Sequence, residues 1–171
     1  MKPDIRSRWL NLIIASILCC VHAMQAAELE KVVDSDSEVT LTETKPVARI
    51  QLSASIRAVP APIMEVSVIK ISNPQEMSFS IFVSLEWRRH AQVSIQSEKV
   101  LVGNFTVYPP DRTGSYILRA STAFEKLKAM GADLARDEVV ILLEMKRTNP
   151  DKPWSSVQVE IAPLRWRSDN P

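Results

Sequence analysis

Met77-Ser78-Phe79-Ser80-Ile81-Phe82-Val83-Ser84-Leu85-Glu86-Trp87 decides how this chain folds. Every odd position is apolar, and among the even positions only Phe82 is not polar. A helix would scatter those apolar groups around its circumference, whereas a strand sends alternate residues to opposite faces. The stretch therefore predicts a long strand with one apolar face and one mostly polar face. Its apolar side needs a second layer to cover it, and the flanking sequence supplies further strands. The chain is read as mostly β: an antiparallel β-sandwich of about six to eight strands with one short helix.

Upstream, Asn73-Pro74-Gln75-Glu76 is a turn feeding the long strand. Ile63 to Ile71 is apolar at most positions and predicts a strand buried on both faces or lying at a dimerising edge. Pro60-Ala61-Pro62 breaks the ladder, because proline lacks the amide hydrogen of a central strand. Before it, Arg49 to Ala58 alternates again, with Ile50, Leu52, Ala54 and Ile56 opposing Arg49, Gln51, Ser53 and Ser55.

Downstream, Arg88-Arg89-His90 reads as a charged corner, followed by a short strand through Ala91, Val93 and Ile95. Val100 to Tyr108 predicts a strand with Leu101, Gly103, Phe105 and Val107 on one side, Gly103 marking a bulge or a close backbone approach. Pro109 to Gly114 is a loop, and Tyr116 to Arg119 is extended. Thr122 and Glu125 have the spacing of a capping box. Phe124, Leu127 and Met130 would pack that helix on one end of the sandwich, and Gly131 supplies its left-handed stop. Val139 to Leu143 predicts a strand buried on both faces. After a loop at Thr148 to Pro153, Val157, Val159 and Ile161 form the closing strand, with Leu164 and Trp166 trailing.

At the start of the chain, Lys2, Arg6 and Arg8 precede an apolar run from Trp9 to Val21. That run is too short to cross a bilayer comfortably, where about 20 residues are needed, and reads as a secretory signal. The cut is placed after Ala23; a second site after Ala26 also fits, and an uncleaved anchor is the competing reading. Residues 1–23 are thus a signal peptide, 24–46 a flexible acidic leader with a short edge strand at Val39 to Thr44, and 47–167 the sandwich. The expected location is secreted or periplasmic, with no stable membrane insertion after signal removal. Cys19 and Cys20 leave with the signal, so no disulfide forms. Removing Lys2, Arg6, Arg8 and Asp4 from the 21 basic and 20 acidic residues leaves 18 and 19, a net charge of −1. Such a balance offers no field for nucleic acid or an anionic membrane.

Residues that carry chemistry are sparse. His90 is the one histidine after the signal, and a metal site needs several convergent ligands. Met64, Met77, Met130 and Met145 are soft enough for copper(I), but their positions fit core packing. Asp133, Asp137 and Glu138 share one connection with Arg136 and read as solubilising charge. Three glycines in the whole chain leave no phosphate-cradling loop. No catalytic, cofactor-binding or metal residue is assigned, and the chain is read as non-enzymatic, without a cofactor.

Several stretches resemble a known family. Gly103-Asn104-Phe105, Tyr108-Pro109, Leu118-Arg119, Leu127 through Met130-Gly131-Ala132-Asp133, and Val139 to Leu143 are similar, in order, to the C-terminal domain of plant polyphenol oxidases, the tyrosinase-type copper enzymes. Ser78-Phe79-Ser80-Ile81-Phe82-Val83 resembles the Lys-Phe-Asp-Val motif of that domain, with Ser78 and Ser80 in place of its lysine and aspartate. Pro110 stands where the family often has histidine. The resemblance covers roughly residues 47–162 and implies a β-sandwich that covers a copper site without taking part in catalysis. The copper site itself is built on histidines, of which this chain has 2. What the resemblance implies is a cover that docks on a separately encoded copper oxidase. Tyr108, Pro109, Pro110, Asp111 and Arg112 are the segment expected to reach that partner, since rigid prolines lower the entropy lost on docking. A free-standing structural or adhesive module of the cell envelope is the alternative.

Overall fold

The computed structural model describes residues 32–33, 36–59, 61–90, 95–149, 151 and 156–168. The expected signal peptide, residues 91–94, Trp154 and the side chain of His90 lie outside them. The Met77–Trp87 alternation forms strand β5 (Phe79–His90), with Phe79, Ile81, Val83 and Leu85 fully enclosed and Met77 and Trp87 nearly so. Around it stands one five-stranded sheet. In spatial order it contains β1 (Val32–Val33), β3 (Val47–Gln51), β8 (Glu138–Arg147), β5 and β6 (Ile95–Thr106). All its pairings are antiparallel except the short parallel contact of β1 with β3.

The second sheet is centred on β4 (Pro62–Ser72). Strand β7 (Gly114–Arg119) and strand β10 (Arg165–Ser168) both pair with the first half of β4, so they occupy opposite edges of it. Strand β9 (Gln158–Ile161) continues the course of β10 along β4, the two joined where Ala162 N donates to Ser67 O at 2.9 Å. Strand β2 (Val39–Thr42) closes the far edge beside β9. The result is a β-sandwich. Leu41, Ile50, Met64, Val66, Ile81, Leu85, Ile141, Leu143, Val159 and Ile161 fill the space between the sheets and are essentially inaccessible. Each such side chain contributes about 1.5–3 kcal/mol relative to exposure. Val39 and Leu41, within the acidic leader, belong to this core.

Six local expectations differ from the structure. The alternation at Arg49 to Ala58 does not stay extended. Leu52 N still donates to Val139 O at 3.1 Å, but β8 begins at Glu138, so the residues after it have no strand to pair with. The backbone closes on itself as the single-turn helix α1 (Ala54–Arg57), which leaves Ala54 exposed and Ile56 half-buried. Arg88-Arg89-His90 is not a corner: β5 runs on through it, and Arg88 pairs with Glu138 across the ladder.

On β6, Val83 opposes Gly103 while Ser84 opposes Leu101, so Val102 is an extra residue and the facing of side chains reverses there. Leu101 therefore points outward, 53% exposed, instead of sharing the inner face of Gly103 and Phe105. Gly103 fulfils both expectations, a bulge beside it and a close neighbour. A Cβ there would meet Leu118 Cδ2 at 3.1 Å.

The helix α2 (Ser121–Ala129) starts too early for the capping box: Ala120 is its N-cap, without a side-chain bond, and Thr122 lies inside the first turn. Phe124 and Leu127 are buried, but Met130 is 44% exposed. Each three-residue step falls about 60° short of a full turn, and two such steps carry Met130 round to solvent. Gly131 does end the helix at φ 95°, with Ala132 N donating to Leu127 O and Gly131 N to Lys128 O, both near 3 Å. Finally, β4 is not buried throughout, since Ile69 is 44% exposed on its outer face.

Candidate functional site

The connections 73–78 and 107–113 lie at the same end of the sandwich, because β4 and β6 run toward it while β5 and β7 run away. The 107–113 segment carries the chain from the edge of one sheet to the edge of the other. Val107 pins its start in the core at 1% exposure, and Phe105 stacks on Tyr116 across the seam, centroids 3.9 Å apart and planes within 14°. Between these fixed points Tyr108 is 82% exposed, Pro109, Asp111 and Arg112 are exposed, and Pro110 is half-buried. The Tyr108–Pro109 peptide is cis, and Arg112 N donates to Pro109 O at 3.0 Å to close the turn.

The loop is braced by a residue that sequence reasoning treated only as part of a turn. Asn73, 8% exposed, donates from Nδ2 to Pro110 O at 3.0 Å and to Met77 O at 2.9 Å. Its Oδ1 accepts from Met77 N at 2.9 Å, so both amide hydrogens and one oxygen lone pair are used. The same turn holds Glu76 in the left-handed region at φ 49°, where Glu76 N donates to Asn73 O at 3.0 Å. The local signal was the Asn-Pro pair, which announces a turn but not the loop that the amide reaches.

Charge at this end is modest. Neither Asp111 nor Arg112 forms an ion pair among the described residues. Burial pushes the Tyr116 phenol above its usual value, with the Arg112 guanidinium pulling the other way. The site thus presents an exposed phenol, an unpaired cation and an unpaired carboxylate on a backbone fixed at both ends. Such an arrangement is able to make contact with another surface.

Elsewhere, Met64, Met77 and Met145 are in the core, and Met130 is exposed on the surface. Among the described residues no group of three or more His, Cys, Asp or Glu is placed to hold a metal ion, and no helix is long and apolar enough to cross a membrane. The carboxylates after α2 do more than solubilise. Asp137 Oδ2 accepts from Trp87 Nε1 at 2.9 Å and from Asp133 N at 2.8 Å, tying the 132–138 connection to β5. The chain matches no protein-family model and no curated protein sequence.

Proposed function

We propose that this chain is a non-catalytic, exported β-sandwich that acts by docking on another protein through Tyr108, Pro109, Pro110, Asp111 and Arg112. The resemblance to polyphenol oxidase C-terminal domains gives the partner class: a separately encoded tyrosinase-type copper oxidase, assisted or restrained by this cover. One observation carries the reading, a tyrosine 82% exposed on a loop whose backbone is hydrogen-bonded from inside the fold. Exposed aromatic anchors supply much of the energy of interfaces, and a preset backbone loses little freedom on binding.

Co-expression with a tyrosinase-type oxidase tests it. The expected result is a complex on size exclusion that Tyr108→Ala and Arg112→Ala weaken while thermal unfolding stays unchanged. Independent elution with unchanged oxidase kinetics overturns it. The export component is tested by the mass of the protein recovered outside the cytoplasm, which should lack residues 1–23.

A second reading, a structural or adhesive module, is favoured by a different observation. Among the described residues the 12-residue strand β6 pairs only with β5, and Leu101 beside its free edge is 53% exposed. Unpaired edges invite another strand. That reading predicts self-association that Leu101→Lys abolishes, and a monomer at high concentration removes it.

A further inference from the structure

At the opposite end of the sandwich, α1, the last turn of α2 and the 132–135 turn border an open groove of about 590 Å³. Its walls are largely apolar, formed by Ala54, Ala58, Leu134 and Ala135, and its polar groups include Arg57 and Lys128. The same two cations border a smaller hollow beyond it, which reaches Phe124 and Pro62.

The electrostatics of the groove are unbalanced. Asp133 also lines it, but that carboxylate is already engaged: Oδ1 accepts from Ala135 N at 3.0 Å and Oδ2 faces Arg136 Nε at 3.7 Å. The Asp137 carboxylate is turned toward Trp87 Nε1 and Asp133 N. Glu125 borders only the smaller hollow. Arg57 spends one donor, Nη1, on the carbonyl oxygen of Asp137, and its buried Nε has no acceptor among the described residues. Neither Arg57 nor Lys128 forms an ion pair among the described residues. A half-buried guanidinium without a counter-charge, beside an apolar wall, matches a molecule with a carboxylate head and a hydrocarbon body.

We infer that this groove binds an apolar carboxylate, with its head between Arg57 and Lys128 and its body against Ala54, Ala58, Leu134 and Ala135. The site is independent of the docking loop, and its test requires no partner protein. Octanoate is the probe and octanamide its uncharged counterpart, each titrated into the purified full chain while alanine methyl signals are followed by NMR.

The expected result is a saturable shift of the Ala54, Ala58 and Ala135 methyls with octanoate, and binding about tenfold weaker for octanamide, the scale of one charge-assisted hydrogen bond. Lys128→Met sits on an exposed helical position, keeps the fold, and should weaken octanoate about threefold without changing octanamide. Arg57→Lys, which retains charge but loses the fork, should weaken octanoate further. Equal affinity for acid and amide, no saturable shift, or shifts centred on other residues would each overturn the assignment.

Discussion

Arg49 and Glu86 lie on strands that are not neighbours, yet Arg49 Nε sits 3.2 Å from Glu86 Oε2, the two side chains meeting above the outer face of β8. The register explains the geometry: Arg49 opposes Leu142 and Glu86 opposes Val140, so the contact crosses over those two residues. Both are buried although they face away from the sandwich core. Arg88 Nε approaches the other carboxylate oxygen at 3.1 Å and leads on to Glu138 at 3.9 Å. The stems of long cationic side chains cover apolar surface while their heads stay polar. An ion network thus roofs the outer side of a strand whose sequence is apolar on both faces.

Acid sensitivity follows from this roof. Burial alone would raise the Glu86 carboxyl, but hydrogen bonds and charge from Arg88 and Arg49 outweigh it and hold the group below the ordinary glutamate value. Glu144 is lowered for the same reasons by Lys99 and Lys146. A carboxyl whose folded value is depressed contributes stability that is complete above its unfolded value and is lost as pH falls through the folded one. Unfolding midpoints should therefore hold steady above about pH 5 and fall as the pH drops below the ordinary carboxylate value. Glu86→Gln should cost about 2 kcal/mol at neutral pH and flatten the acid slope, read by urea denaturation across pH. A variant with the full wild-type slope would locate the acid sensitivity elsewhere.

Asn73 offers a separate test of the loop brace. Asn73→Ala leaves Pro110 O and both backbone groups of Met77 without this partner, a loss of about 1–3 kcal/mol. Hydrogen exchange should speed up at the Arg112 amide, which closes the neighbouring turn. Tyr108→Ala, by contrast, should leave both stability and exchange as they are, since that side chain is 82% exposed. If Arg112 exchanged at the wild-type rate in Asn73→Ala, the amide would not be what fixes the loop.

What could be read from the sequence divides along contact range. The period-two pattern of β5, the doubly apolar run of β8 and the glycine stop of α2 are local signals, and each appears where it was read. Prolines likewise announced the 109–114 loop. Its brace did not announce itself, because Asn73 meets Pro110 only once β4, β5, β6 and β7 have paired. The end of β3 at Gln51 is non-local in the same way, set by where β8 begins. Even the misread capping box is such a case: Ala120 N donates to Pro62 O at 2.9 Å, and that contact fixes the chain two residues ahead of the Thr122 signal.

Gly103 tests the seam between the sheets. Its missing side chain leaves room for Leu118, whose Cδ2 would stand 3.1 Å from an added Cβ. Gly103→Ala should cost less than about 1 kcal/mol, because the end of a half-buried leucine can shift by a few tenths of an ångström. Gly103→Val adds branches to that contact and should cost about 1–3 kcal/mol. Leu118→Ala should recover part of the loss in Gly103→Val, seen as non-additive urea midpoints in a double-mutant cycle. Strictly additive losses would mean that the two residues do not compete for the same space.

Trp87, which is buried, and Trp166, which is partly buried, should respond differently to the same substitution. Trp87 Nε1 donates to Asp137 Oδ2 at 2.9 Å, whereas Trp166 Nε1 is buried with no acceptor among the described residues. Phenylalanine removes ring volume at both positions, but at position 87 it also takes a donor from a carboxylate. At position 166 it removes an unpaired N–H whose burial costs about 1–3 kcal/mol, so the losses offset. Trp87→Phe should destabilise by about 2–3 kcal/mol and Trp166→Phe by less than about 1 kcal/mol. The Trp87 loss should shrink by about 1 kcal/mol in an Asp137→Ala background, where the acceptor is already gone. Equal losses at the two positions, or a Trp87 loss indifferent to Asp137, would show that ring packing alone sets the cost.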